Sequence, residues 1–245
     1  MPIAAVFADT QAEPASVYRW LDWLEKELPF PVYRVTAGDL AKEAATIKTS
    51  AKGSEYFKVN IPSFTVTSKG TLGQTHMRTC TRDFKIKPLL REFRKLAGIK
   101  RGQKEIGVVQ WIGISLDEIA RCRPARDPWI ESRWPLLELR MTRRRCLDWM
   151  EAKGHPTPPR SACTFCPFHS NKEWRQLKDD APGDFQQAVD FEKQLHLRKS
   201  LNGGDVGKPY LHRSCIPLDQ VDLRTDAEHG QLSLWDDECE GMCGV

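Results

Sequence analysis

Cys163-Thr164-Phe165-Cys166-Pro167 is the most specific chemical signal in the chain. Two thiols separated by two residues fill half of a tetrahedral sulfur site, so two more ligands must come from elsewhere. Cys80, Cys215, Cys239, Cys243, His169 and His212 are the candidates. Iron–sulfur clusters commonly use C-x-x-C-P, and zinc accepts the same spacing. A redox dithiol is a third use of the motif, but the βαβ pattern that would surround it is missing there. Cys122 and Cys146 read as packing residues.

Cys80 stands in a different setting, at the head of Cys80-Thr81-Arg82-Asp83-Phe84-Lys85-Ile86-Lys87-Pro88-Leu89 and at the entry to a basic helix. The helix dipole and nearby cations favour thiolate over thiol, which suits a nucleophile or a metal ligand. Two strand-like segments end in residues suited to a nucleotide. The first ends at Asp9-Thr10, followed by Gln11, Ala12, Glu13 and Pro14. A carboxylate there can take a ribose hydroxyl or a metal, and the helix N-terminus behind it can take an anion; an ordinary helix cap would use the same residues. The second ends at Gly113, where the backbone can be approached closely, and Arg121, Arg123, Arg126 and Arg133 lie beyond it for bidentate contact with phosphate.

Charge is concentrated. Residues 78–104 hold ten Lys and Arg against two acids, and residues 121–145 hold eight against three. Residues 219–245 hold one against eight. Both basic stretches flank candidate site residues, so they read as a cleft for phosphate or nucleic acid rather than as solvated helix faces alone.

These residues must be positioned by a fold of ordinary size. The chain has 245 residues, 40% of them apolar and 29% charged, with a formal net charge of +4. That composition excludes a disordered or collagen-like chain and allows a real core. No apolar run approaches the ~20 residues of a membrane span. The opening MPIAAVFADT has no basic leader, so the expectation is a cytoplasmic protein, in which eight cysteines point to metal or redox work rather than to disulfides.

Pro2–Thr10 reads as a short buried strand. Val17, Trp20, Leu21, Leu24 and Leu28 recur at helical spacing, and Pro31–Val35 reads as a second strand, so the opening is a βαβ unit. Ala37–Ala51 reads as helix. Phe57–Val66 alternates in part, with Pro62 arguing for an edge or a loop. Ile86, Leu89, Leu90, Phe93 and Leu96 give a helix stripe stopped at Gly98, and Ile106–Ser115 is the strongest strand. The second half reads as helical, with Thr142 as a cap, Ser170 and Glu173 as a capping box, and Phe185–Leu195 as a further helix. The acidic end, from Asp219 on, reads as irregular.

At these residues the chain resembles the phosphoadenosine-phosphosulfate (PAPS) reductase family of the PP-loop ATP-pyrophosphatase superfamily, also called adenine nucleotide alpha-hydrolase-like. That family has a strand ending in D-T-G-x-x-x-P-E-T, and Phe7–Pro14 is similar, with Gln11 where glycine is usual. Its iron–sulfur branch has C-C-x-x-x-K-x-x-P-L. Cys80, Lys85, Pro88 and Leu89 match it, and Thr81 replaces the second cysteine. The later C-x-x-C of that branch matches Cys163 and Cys166. Its catalytic cysteine, on a C-terminal tail after a glutamate, has a loose counterpart in Glu238-Cys239-Glu240-Gly241-Met242-Cys243. Ser161–His169, Leu211–Ser214 and Glu238–Gly244 resemble an actinobacterial and phage subgroup. The resemblance covers nearly the whole chain.

The resemblance implies an α/β fold, with an open, mostly parallel Rossmann-like sheet and flanking helices over residues 1–135. A helical, metal-binding region would follow over 136–245. It implies an adenine nucleotide such as ATP, or an activated sulfate, held by Asp9, Thr10, Glu13, Arg82, Lys85, Gly113, Arg121 and Arg133. It implies a 4Fe-4S cluster on Cys80, Cys163 and Cys166, with Cys239 or Cys243 as the fourth ligand. Cys239 and Cys80 are the catalytic candidates. The family's S-G-G-x-D-S-like phosphate loop and the strand before it have no counterpart. The expectations are, in order, a longer natural chain, a degraded remnant, or a strand supplied by another element or chain. The rival reading is a non-catalytic zinc module whose basic stretches bind nucleic acid. A third reading joins the two, as an enzyme that thiolates nucleic acid.

Overall fold

The computed structural model describes residues 1–53, 55–57, 61–67, 69–75, 79–197, 207–224 and 228. The chain is α/β. It opens with β1 (Ala5–Asp9), α1 (Ala15–Glu27) and β2 (Val32–Thr36), the expected βαβ unit. β1 and β2 run parallel, from Ala5 opposite Val32 to Asp9 opposite Thr36. α1 turns its Val17 and Leu21 stripe inward, and an Asp184 carboxylate oxygen 3.0 Å from the Ala15 N–H takes one of its free first-turn donors.

α2 (Leu40–Ala45) is shorter than the sequence suggests. It stops at Thr46, and the β-branched pair Thr46-Ile47 passes into β3 (Ile47–Thr49), antiparallel to β4 (Glu55–Phe57). β5 (Ser63–Val66) is the middle strand of an antiparallel sheet, between β6 (Leu72–Thr75) and β9 (Lys208–Tyr210). Pro62 is therefore no sign of an edge; it stands just ahead of β5, where its missing N–H costs no ladder bond. β9 was not legible as a strand. Gly207 before it has φ 78° and approaches Val66 so closely that a Cβ would lie 2.6 Å from the carbonyl oxygen.

After α3 (Lys87–Leu96) the strong apolar stretch forms a short strand, β7 (Val108–Trp111), parallel to β8 (Ile130–Arg133). β8 escaped the sequence reading because Glu131 and Arg133 break its apolar pattern. The parallel strands thus form two pairs, and the described residues do not join them into a single open sheet.

The second half is helical, with α4 (Pro135–Glu138), α5 (Arg143–Ala152), α6 (Asn171–Asp180) and α7 (Pro182–Leu197). Thr142 caps α5 by accepting from the Arg145 N–H, and Ser170 with Glu173 forms a reciprocal capping box on α6. Trp174 of α6 is fully buried and meets Phe185 of α7 edge-on, while Phe191 stacks on Phe165 at 4.1 Å. This core also takes Ala12, Leu40, Ala44, Ile61 and Phe84, so one cluster spans both sides of residue 135. Glu192, buried in α7, accepts from the Leu211 and Leu218 N–H groups and ties the 208–218 segment to that core. No helix among the described residues is long and apolar enough to cross a membrane.

Candidate functional site

The site starts from an irregular helix. Residues Thr81–Ile86 form a π-helical turn ahead of α3, with Phe84 buried beneath it. A π-helix closes its bonds from i to i+5, whereas five residues along an α-helix lead to a different face. The wider turn therefore sets Cys80 and Lys85 about one turn apart on one side, which accounts for the C-x-x-x-x-K spacing.

Lys85 points into the loop between β1 and α1. Its Nζ lies 3.2 Å from a carboxylate oxygen of Glu13, whose side chain is only 1% exposed. Ser161 donates to the other oxygen of Glu13 at 3.3 Å, and the Thr10 hydroxyl lies 3.5 Å from the first. A buried carboxylate is tolerated when it is paired in this way. The loop is held by Asp9, which accepts from the Gln11 N–H at 2.8 Å and from the Tyr18 hydroxyl at 2.7 Å. Gln11 adopts φ 56°, a left-handed conformation natural to glycine. The same loop is stitched to the cysteine segment by a 2.7 Å bond from the Thr164 N–H to the Ala12 carbonyl.

The cysteine segment closes the site. The Cys166 N–H bonds the Cys163 carbonyl, a tight turn that turns both cysteines toward the site, and buried Ala162 and Phe165 anchor it. The Cys163 sulfur lies 3.5 Å from the Thr10 hydroxyl. Burial and then the Glu13 charge push the Cys163 thiol up to about 12, against the pull of Lys85 and Thr10, and Cys80 is close enough to add to the rise. Burial works to lower the Lys85 pKa, but the charges of Glu13, Cys163 and Cys166 outweigh it and leave it raised. A thiol so hard to ionise is a poor nucleophile, and becomes a thiolate only when a cation displaces its proton.

Six of the predicted residues thus meet in one place: Thr10, Glu13, Lys85, Cys80, Cys163 and Cys166. Their sequence separation is large, and Ser161, which opens the Ser161–His169 motif but was given no role there, joins them. Thr10 and Glu13 face the thiols rather than open solvent, since both are buried. Asp9 is engaged in its own loop. Among the described residues, no three His, Cys, Asp or Glu side chains surround one point as a single ion would require. A four-iron cluster asks something different, one thiolate for each iron rather than several on one ion. Three thiols beside a partly buried ammonium fit such a group, the ammonium offsetting thiolate charge. Cys239 and Cys243 lie outside the described residues.

The other predicted residues have neighbours of their own. Gly113 follows β7 and Arg133 ends β8, so both sit at the carboxyl ends of that parallel pair, joined by a bond from the Ile112 N–H to the Arg133 carbonyl. Arg133 is paired with Glu138, Arg121 with Glu118 and Arg82 with Asp83. An anion at any of them must displace or share an acid. His212 is not a free ligand: its ring nitrogens meet Ser214 at 2.7 Å and Asn171 at 2.9 Å. Burial, and less so Arg213, lowers its pKa to about 4. His169 packs at a tilt against Trp174, with ring centroids 4.5 Å apart, and Cys215 is half-buried.

Comparisons with protein-family models, with curated proteins and with solved structures gave no match to this chain.

Proposed function

We propose that the chain is a PAPS-reductase-like enzyme of the PP-loop superfamily, binding an adenine nucleotide and a 4Fe-4S cluster for nucleotide-activated sulfonate transfer. The observation that carries this reading is the convergence of Cys80, Lys85, Cys163 and Cys166 on one side of the β1–α1 loop. Cys80, Cys163 and Cys166 hold the cluster, and Cys243 supplies the fourth thiolate in place of Thr81, which leaves Cys239 free to act as nucleophile. When bound, the cluster supplies redox capacity and a local field, tuned by hydrogen bonds to sulfur and by solvent exposure. Lys85 neutralises thiolate charge, Glu13 fixes the ammonium, Ser161 and Thr10 hold Glu13, and the Thr10 hydroxyl meets the Cys163 sulfur.

The nucleotide lies at the carboxyl ends of β7 and β8, the end of a parallel pair at which α/β proteins take ligands. Gly113 allows backbone approach there, and Arg121 and Arg133 meet phosphate or sulfate. In the transfer step the Cys239 thiolate attacks the sulfonate sulfur. A sulfur–sulfur bond forms, the bond from that sulfur to the phosphate oxygen breaks, and the nucleotide phosphate leaves with the electron pair. The product is a cysteine thiosulfonate.

The test is anaerobically purified protein given adenylyl sulfate and followed by intact mass. The reading expects an 80 Da adduct lost in Cys239→Ser, with iron retained in that variant. Loss of iron in Cys239→Ser makes that residue a ligand instead. Absence of both iron and adduct overturns the reading in favour of a structural-metal module.

A further inference from the structure

Away from the site of Cys80, Cys163 and Cys166, three tryptophans and a histidine gather where α1 meets the end of α5. Trp20 and Trp23 of α1 have ring centroids 5.7 Å apart. His155 lies between Trp23 at 5.3 Å and Trp149 of α5 at 5.6 Å. A helix stop builds this arrangement. Gly154 follows α5 with φ 67°, and the His155 N–H returns 2.9 Å to the Met150 carbonyl, folding the chain back so that His155 lies against Trp149. Trp20 Nε1 donates to the Pro156 carbonyl at 3.5 Å and ties the two helices together.

A cluster that merely glued α1 to α5 would bury its rings. Trp149 instead stays 51% exposed. Its neighbours are also unlike those of a protein–protein core, which is depleted of charge. Arg145 and Lys153 lie one turn to either side of Trp149, and Arg19 lies one turn before Trp23. All three are exposed, and no acid partners them among the described residues. The acids of α1 that could oppose them, Asp22 and Glu25, are taken by Arg34. Asp148 is taken by Arg144, so among the described residues only Glu27 and Glu151 are left on these two helices without an ion-pair partner, and cations prevail.

We propose that this surface binds single-stranded nucleic acid, its bases stacked on Trp149 and Trp23 and its phosphates met by Arg19, Arg145 and Lys153. Aromatic faces interleaved with cations are what a single strand needs: every base has a face to stack, and the backbone is met by charge. Duplex DNA hides those faces and is the poorer ligand. The inference stands apart from the cysteine site and does not depend on its metal.

The experiment is fluorescence anisotropy of labelled dT20, rU20 and a 20-base-pair duplex, titrated with the full chain in low salt. Saturable binding of a single strand in preference to duplex is expected, weakening as salt rises. Trp149→Ala should weaken it about tenfold or more, and Trp149→Phe should restore most of it, because stacking needs a ring rather than an indole. Binding of dT20 and rU20 alike means that base and phosphate are read; preference for rU20 means that the ribose hydroxyl is read as well. Trp149 is half in solvent, so neither variant should disturb the far-ultraviolet circular dichroism. Three results would overturn the proposal: no binding in low salt, equal affinity for duplex with no effect of Trp149→Ala, or self-association in sedimentation that Trp149→Ala abolishes. The last would assign the surface to a second copy of the chain.

Discussion

Lys85 and Glu13, 72 residues apart in sequence, meet at 3.2 Å beneath the Cys163 thiol. The ammonium comes from a π-helical turn and the carboxylate from the loop after β1. The contact joins two motifs that were separate in the sequence, and it brings positive charge to the place where three thiols gather. It also supplies a reason for a buried acid, which by itself would be costly there.

Removing Lys85 should therefore do more than remove a cation. Lys85→Met leaves Glu13 buried with only hydroxyl donors, a loss of about 3 kcal/mol of stability. Lys85→Met combined with Glu13→Gln should recover part of that loss, because the uncompensated charge is gone. Denaturant unfolding of the two variants measures both effects. If the double variant is as unstable as the single one, the cost lies in packing and not in charge.

Gln11 should be improvable. It holds φ 56° without the freedom of glycine, and its side chain makes only a long contact of 3.4 Å to Thr36. Gln11→Gly should stabilise the chain by about 1 kcal/mol, which for a chain of this size is a rise in Tm of about 2–4 °C. An unchanged or lower Tm would show that the Thr36 contact matters more than the backbone strain.

Acid should weaken the fold through His212. Burial holds its pKa down at about 4, against an ordinary value of 6.5. The unfolded chain therefore binds this proton first as pH falls. The stability is complete above pH 6.5 and is lost progressively toward pH 4, by about 3 kcal/mol from this group. Thermal unfolding at pH 7.5, 6 and 5 should show the decline, and His212→Gln should make the decline shallower. An identical slope in the variant would mean that other groups carry it.

Much of this arrangement was legible in the chain. The βαβ opening follows from its apolar runs, and the Thr142 and Ser170 caps follow from their side chains. What escaped were features set by tertiary partners. β8 and β9 are short and carry charge or proline, and they are strands because β7 and β5 offer edges. The π-turn has no side-chain signature beyond the spacing of Cys80 and Lys85. Ser161 stands at the head of the Ser161–His169 motif, but its bond to Glu13 depends on the burial of its neighbour Ala162 and not on any spacing. Along the chain Thr10 and Glu13 read as nucleotide contacts, yet both are buried beside the Cys163 thiol, something no pattern along the chain could reveal. The partners of Arg82, Arg121 and Arg133 were equally hidden, although Asp83, Glu118 and Glu138 stand within five residues.

The central claim is that Cys80, Cys163 and Cys166 share one iron–sulfur cluster. Its most direct test is iron, acid-labile sulfide and zinc analysis of protein purified without oxygen, with a visible absorption spectrum. A shared cluster gives a brown protein with about four irons and four sulfides per chain, falling toward zero in Cys163→Ser and unchanged in Cys146→Ser. A colourless protein with one zinc, or iron retained in full by Cys163→Ser, would contradict it.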